Sequence, residues 1–534
     1  MAPETRHKIS VKGLCFISLA AVLLYLLLVN HYRGNKKIMS PHLRRDNPKQ
    51  KHGQRNLNVV RSAVHNHNNI ISISRKTSAS TTSLHLINNR DVYNVGETLF
   101  IKIVASDAMG RPKHYGEDLF LAKLYSNSPI QACFPGKITD YGNGTYLAKF
   151  LLSWPGNLSV SVKLLRSSEA VQVLRRVRDT FLDRRVTICN FVHENKRRSE
   201  WTKCAFSRND SVNPRDVCDY SKPVPNATFY CERPPTLSCN SILECKQYGH
   251  TAVRIAKTRL ESTLNVIRYF PTSNAPRQFL TCIDQTLRGE ALPRCGPQLP
   301  KKTYEGFWFN DTWHSLRCNS RQFPPSLETY KCLQNKTFFV IGDSTGHQYE
   351  AFLKKLVGDI DTYLPDAMKE WEKEHNSIKI DFLFHTFPKN QGPPLKVKNF
   401  IYAADKVDSI IGGPDVVIIF SIWAHYCAEP IETYRSRVWG IRHAIERLLS
   451  QYPDTKVIWR TSNMREADWV WALENGNWHA YQLLENAKQI LGDLNIFVMD
   501  VWDMSVCDKE MYMLHPEPNV IKNHIDLILS YICP

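Results

Sequence analysis

The stretch Thr337-Phe-Phe-Val-Ile-Gly-Asp-Ser-Thr-Gly-His-Gln-Tyr-Glu-Ala-Phe352 decides how the C-terminal third of the chain folds. Phe338, Phe339, Val340 and Ile341, two of them β-branched, read as a short buried strand. Gly342-Asp343-Ser344 breaks it, Gly346 keeps the turn tight, and Tyr349, Phe352, Leu353 and Leu356 then recur at helical spacing. A strand, a sharp turn and a helix in immediate succession lift the Ser344 hydroxyl above a sheet edge and aim backbone N–H groups at it. Ser344 is therefore a candidate nucleophile and its own amide a candidate oxyanion donor. As a bare tripeptide, Gly-Asp-Ser is more often an ordinary turn; its position gives it weight.

Downstream, strands and helices alternate. Ile378–Phe384, Asp415–Ile422, Lys456–Thr461 and Asn495–Asp500 read as strands; Tyr434–Leu449, Trp478–Leu491 and Val520–Ile532 read as helices. That alternation implies a parallel sheet with right-handed crossovers, and ligands bind such sheets beyond their strand C-termini. Those ends carry Ser344, His385, His425, Asn463, Asp500 and Asp503, with His515 on the loop before the last helix. A nucleophilic serine needs a base, and the base an orienting acid. The order resembles that of SGNH hydrolases, whose base stands just ahead of the last helix; the resemblance implies His515 as base and Asp503 as acid, with Asp500 and Asp508 as alternatives and a Ser–His dyad left open. His425 and Asn463 are further oxyanion candidates; for His425 the competing role is a hydrogen-bonded structural histidine.

Three families place a serine in such a turn. Gly342-Asp-Ser-Thr-Gly346 fits the G-x-S-x-G elbow of α/β-hydrolases and is similar to the Gly-Asp-Ser-Gly-Gly of trypsin-like proteases. A serine on the first strand with its histidine near the C-terminus is instead the order of SGNH (GDSL) hydrolases. The run Gly306-Phe-Trp-Phe…Trp313…Cys318…Tyr330-Lys-Cys…Gly342-Asp-Ser344 resembles the opening of a PC-esterase domain. Together with an apolar N-terminal segment, a β module, a cysteine-rich stretch and the ending His515-Pro…Tyr-Ile-Cys533, it resembles the neurexophilin and PC-esterase domain (NXPE) family. The resemblance implies acyl-ester chemistry, hydrolysis or O-acetyl transfer on a glycan, in the secretory pathway. It also marks departures. Tyr512 stands where SGNH enzymes carry Asp three residues before the histidine; Trp423-Ala-His425-Tyr replaces Gly-x-Asn-Asp; and Phe384-His-Thr-Phe-Pro388 has no glycine for a second oxyanion amide.

The N-terminal half sets the compartment. Val11–Asn30 is long and apolar enough for a membrane span, flanked by Arg6, Lys8 and Lys12 and by Arg33, Lys36 and Lys37, with no small-residue cleavage site. An uncleaved signal-anchor is expected, giving a Golgi type II membrane protein, with secretion as the alternative. The sequons Asn143, Asn157, Asn209, Asn226, Asn310 and Asn335 all lie beyond it, which puts the body in the lumen. Cys15 sits in the apolar segment, and the other fourteen cysteines suit seven disulfides in an oxidising compartment. No C-x-x-C or H-E-x-x-H occurs, so no metal site and no cofactor are expected; transfer would need an acyl donor such as acetyl-CoA. Of the net charge of +18, +12 falls in residues 1–80. A basic, solvated stem explains that excess better than nucleic-acid binding.

The expected organisation is a cytosolic tail (1–10), the anchor (11–30), a disordered stem (31–80), an all-β immunoglobulin/filamin-like sandwich (81–166), a cysteine-rich extension (167–300) and a flavodoxin-like, SGNH-type α/β domain (301–534). The sandwich rests on the alternation in Thr98–Ala105, where Leu99, Ile101 and Ile103 share a face, and on the Gly-marked hairpin in Asp140–Lys163. It carries no cluster of acids or histidines, so a structural or receptor-binding role fits it, with a cell-surface receptor as partner and a glycan or glycoprotein as substrate of the C-terminal domain.

Overall fold

The computed structural model describes residues 75–533 apart from 88, 91, 128–129, 181–184, 207–212, 224–225, 250–277, 282–290, 389–392, 466–474 and 508–512. The expected anchor, nearly all of the stem, Asn209 and Asp508 lie outside the described residues. Among the described residues no helix is long and apolar enough to cross a membrane.

Strands β1 (Thr337–Gly342), β2 (Lys379–Phe384), β3 (Val416–Ser421), β4 (Lys456–Arg460) and β5 (Phe497–Met499) form a wholly parallel sheet in the order β2-β1-β3-β4-β5. Helices α1 (Ser344–Asp361), α2 (Ile431–Gln451), α3 (Asn477–Leu491), α4 (Trp502–Val506) and α5 (Pro518–Ile532) pack around it. Period-2 alternation explains why these strands read as continuous apolar runs: both faces are buried. Val340, Val417, Ile419 and Ile458 face a core with Tyr349 and Leu353 of α1 and Ile521, Ile525 and Ile528 of α5. Ile341, Ile418, Phe420 and Trp459 face the opposite core with Val438 and Ile441 of α2 and Leu483 and Ile490 of α3. With β1 central and crossovers on both faces, the chain reverses beside β1, where such sheets leave a crevice.

The N-terminal module is a two-sheet sandwich. Leu99, Ile101 and Ile103 from the four-stranded sheet meet Phe120, Ala122 and Leu124 from the seven-stranded one in a common core. The seven-stranded sheet also recruits Gly306–Phe309 and Thr312–Ser315, a hairpin that pairs with Ala132–Pro135. Asn310 and Asp311 turn it with φ of +49° and +59°, the left-handed pair of a type I′ turn. The hairpin, which the sequence reading put at the start of the 301–534 domain, serves both modules: its backbone extends the sandwich sheet, while Trp308 and Trp313 sit in the core of the parallel-sheet domain.

The cysteine-rich segment supplies five strands of a six-stranded sheet whose edge is Leu395–Lys396 from the C-terminal domain. Cys189–Cys245 and Cys204–Cys231 bridge neighbouring strands, and Cys218–Cys239 adds a third link. The cystines with Phe191, Phe206, Phe229 and Phe387 make up its small core. Cys295–Cys318, Cys332–Cys533 and Cys133–Cys507 complete six disulfides among the described residues. Cys427 is buried, and Cys282, the remaining cysteine of the expected fourteen, lies outside the described residues. Asn143, Asn157, Asn226, Asn310 and Asn335 are all exposed, as acceptor asparagines must be.

Candidate active site

The end of β1 delivers Ser344 to the surface. Gly342 is required by the close approach of β3: a Cβ there would stand 2.3 Å from the Ser421 carbonyl oxygen. Asp343 caps α1. Its Oδ1 accepts from the Thr345 amide (2.9 Å) and hydroxyl (2.6 Å), and its Oδ2 accepts from the amides of Trp423 (3.2 Å) and Ala424 (2.7 Å). The Trp423 indole in turn donates to Thr345 Oγ1 (3.1 Å). One buried carboxylate thus ties the nucleophile turn to the loop after β3. Burial raises the Asp343 carboxyl, but the His425 and His385 rings and the Thr345 donors outweigh it and hold the group below the ordinary aspartate range.

Ser344 Oγ lies 2.8 Å from His515 Nε2, and both residues are exposed. The loop carrying His515 is held on two sides. Gln348 Nε2 of α1 donates to the Pro516 carbonyl (3.0 Å), while Asn463 Nδ2 lies 3.4 Å and 3.5 Å from the Met513 and Leu514 carbonyls. Asn463 also donates to the Met464 carbonyl (2.8 Å) and accepts from Arg460. Its amide serves main-chain carbonyls, so the structure places it as a tether beside the histidine and not as an oxyanion donor. Burial lowers the pKa of His515; Arg465 and Arg460 lower it further, against the pull of Asp343.

The candidate acids are elsewhere. Asp503 is buried against the sandwich, where it accepts from Lys137 Nζ (2.9 Å) and faces the Glu305 amide at 3.5 Å. Asp500 accepts from Lys488 Nζ (2.8 Å) and the Trp502 amide (3.0 Å). Among the described residues no hydrogen bond or ion pair joins a carboxylate to His515. Asp503 and Asp500 are drawn off because both stand at the end of β5, where Lys137 and Lys488 converge.

His425, expected beside the oxyanion, places Nδ1 3.0 Å from His385 Nε2. Burial holds His385 neutral, with its pKa down to about 4. One of the two ring nitrogens donates across that contact and the other accepts, so the tautomers of the two rings are linked. Thr386, where a glycine was missing, takes φ +72°, buried and tied through Oγ1 to the Ile401 carbonyl at 2.6 Å. A β-branched residue in that region is strained, and strain of this kind gathers at functional loops. Sequence reading overlooked Asp343, the hub of the turn, although its place beside Ser344 at a helix start was the signal for an N-cap.

Residues 313–533 match the family model described as NXPE family member 4-like, C-terminal domain, and residues 75–255 match the neurexophilin model. Similarity to solved structures is slight. FdeC, an Escherichia coli adhesin, is 12% identical over 39% of this chain and 65% of its own length, with a TM-score of 0.14. Invasin, a bacterial integrin-binding protein, is 10% identical over 50% of this chain and 47% of its own length, also with a TM-score of 0.14. Neither carries an argument here. The two family models follow each other along the chain in the order of its β module and parallel-sheet domain, and the chain belongs to the neurexophilin and PC-esterase domain (NXPE) family.

Proposed function

We propose that the C-terminal domain is a flavodoxin-like, SGNH-type serine acyl-ester enzyme of the secretory pathway, an O-acetyltransferase or esterase acting on glycan hydroxyls. The observation that carries this reading is the 2.8 Å contact between Ser344 Oγ and His515 Nε2 at the exposed C-terminal end of β1. His515, kept neutral by its lowered pKa, takes the serine proton as Oγ attacks the acyl carbonyl. The oxyanion develops at the α1 N-terminus, where the Ser344 amide and the helix dipole favour negative charge. His515 then protonates the leaving group, and water or a sugar hydroxyl removes the acyl group. The site works as a dyad, with the charge of Asp343 pulling the His515 pKa upward against burial. The acyl donor is a separate substrate, and acetyl-CoA is one of that class. A lumenal body held by an N-terminal anchor in the Golgi is consistent with the six disulfides.

A serine-reactive fluorophosphonate tests the reading: covalent labelling of the wild-type chain, lost in Ser344→Ala and in His515→Ala. An unlabelled wild type sinks it. A second reading, a secreted ligand whose β module binds a cell-surface receptor over an inert esterase-like domain, is favoured by one observation. Asp503, the expected triad acid, is committed to Lys137 of the β module.

A further inference from the structure

The outer face of the seven-stranded sheet is covered along part of one strand, where Leu119 and Leu121 pack with Leu165, Met464 and Val506. Further along the same face of that strand, at Lys123 and Tyr125, the cover parts and leaves a cleft of about 630 Å³ between the sheet and the start of α5. That volume is in the range of small-ligand sites. Its walls are fixed by the Cys133–Cys507 disulfide and by the Trp308 indole, which donates to the Met504 carbonyl at 2.9 Å. A ligand entering it meets walls that need no ordering on binding.

The lining has a definite chemistry. Tyr125 and Trp308 offer rings, Asn127 and Gln131 offer amides that donate and accept, and the charged residues are Lys123 of one sign and Asp311 and Glu517 of the other. A purely apolar ligand would leave those amides unpaired, and a polyanion would meet Glu517. A neutral, hydroxyl-rich ring satisfies the set: its hydroxyls serve as donor and acceptor at once, and its C–H face lies on an aromatic side chain. Glu517, which lines the cleft, stands two residues from His515, on the loop that carries the base.

We propose that this interdomain cleft binds a neutral sugar residue and presents its hydroxyl to the Ser344 centre, a role that rests on the acyl-transfer reading above. With an acyl ester or thioester as donor, Ser344 Oγ carries the acyl group. The sugar oxygen bonds to the acyl carbon as the bond from that carbon to Oγ breaks. His515 takes the hydroxyl proton and returns it to Oγ.

The test is saturation-transfer NMR on the full chain carrying Ser344→Ala, with lactose, chitobiose, cellobiose and mannobiose as probes. We expect transfer to at least one of them, reduced at least fivefold by Tyr125→Ala and by Gln131→Ala; Gln131 is exposed, so the second variant folds even if the first does not. Absence of transfer to all four sugars, or transfer unchanged in the Gln131→Ala chain, overturns the proposal. Sugar binding by a chain whose serine is never labelled supports the cleft and removes only the acyl-transfer reading.

Discussion

Replacing Asp343 with asparagine probes the turn on which the serine stands. The carboxylate is fully buried and accepts four hydrogen bonds, two on each oxygen. An amide keeps the pair from Thr345 but turns an N–H₂ toward the Trp423 and Ala424 amides, 3.2 and 2.7 Å away, setting donor against donor. Two hydrogen bonds to a charged group are worth about 1.5–3 kcal/mol each, and part of that loss is offset because a charge no longer has to be buried. The expected net loss is about 2–4 kcal/mol, close to what breaking a buried charged contact costs. The assay is urea unfolding of the full chain followed by tryptophan fluorescence, paired with the rate of fluorophosphonate labelling. Labelling should fall at least tenfold, because the loop after β3 and the helix start no longer hold one geometry. The pH dependence has a definite sign. The Asp343 pKa is depressed, so its stabilisation is present above the ordinary aspartate value and is lost as pH falls through the lower folded value. A variant within about 0.5 kcal/mol of wild type, the scale of an uninvolved surface change, would refute the reasoning.

Three more outcomes are expected. The rate of Ser344 labelling should hold constant down past pH 6.5 and decline only below it, because His515 acts as a base when neutral and its pKa is lowered; a midpoint above 6.5 in the pH–rate profile contradicts this. Tyr349→Phe removes a buried hydroxyl that accepts from Arg460 Nε (3.1 Å) and meets His524 Nδ1 (2.7 Å), stranding two polar groups at about 1–3 kcal/mol each, measurable by denaturant unfolding. Glu305, raised to about 7 by burial and by Asp500 against the pull of Arg317, favours the fold most when protonated. Its contribution is complete below the unfolded carboxyl pKa and lost as pH rises through about 7, on the order of 3 kcal/mol; Glu305→Gln should flatten that decline in thermal scans between pH 5 and 8.

The parallel sheet was legible because its strands are buried on both faces and so announce themselves as apolar runs between turn signals. That Ser344 and His515 meet was legible because chain order and strand ends carry enough information to bring them together. The position of Asp503 away from His515 was not legible: sequence places it at the right strand end but cannot show that Lys137, far earlier in the chain, sits against it. The partners of Asn463 were not legible either, since an asparagine near the site can as easily hold a backbone loop as an anion. The double role of the hairpin at 306–315 was not legible: its nearest neighbours in sequence lie in the C-terminal domain, which takes Trp308 and Trp313 into its core, while its ladder pairs with Ala132–Pro135.

That hairpin has a practical corollary for anyone dissecting the protein. The family match to the C-terminal domain begins at Trp313, inside the second strand of the pair. A fragment cut there would strip the outermost ribbon from its neighbour's sheet and leave Cys507 without the thiol it bonds. The halves named separately by homology are, as solid objects, sewn through one another, and an excised C-terminal piece that precipitates would say nothing about its chemistry.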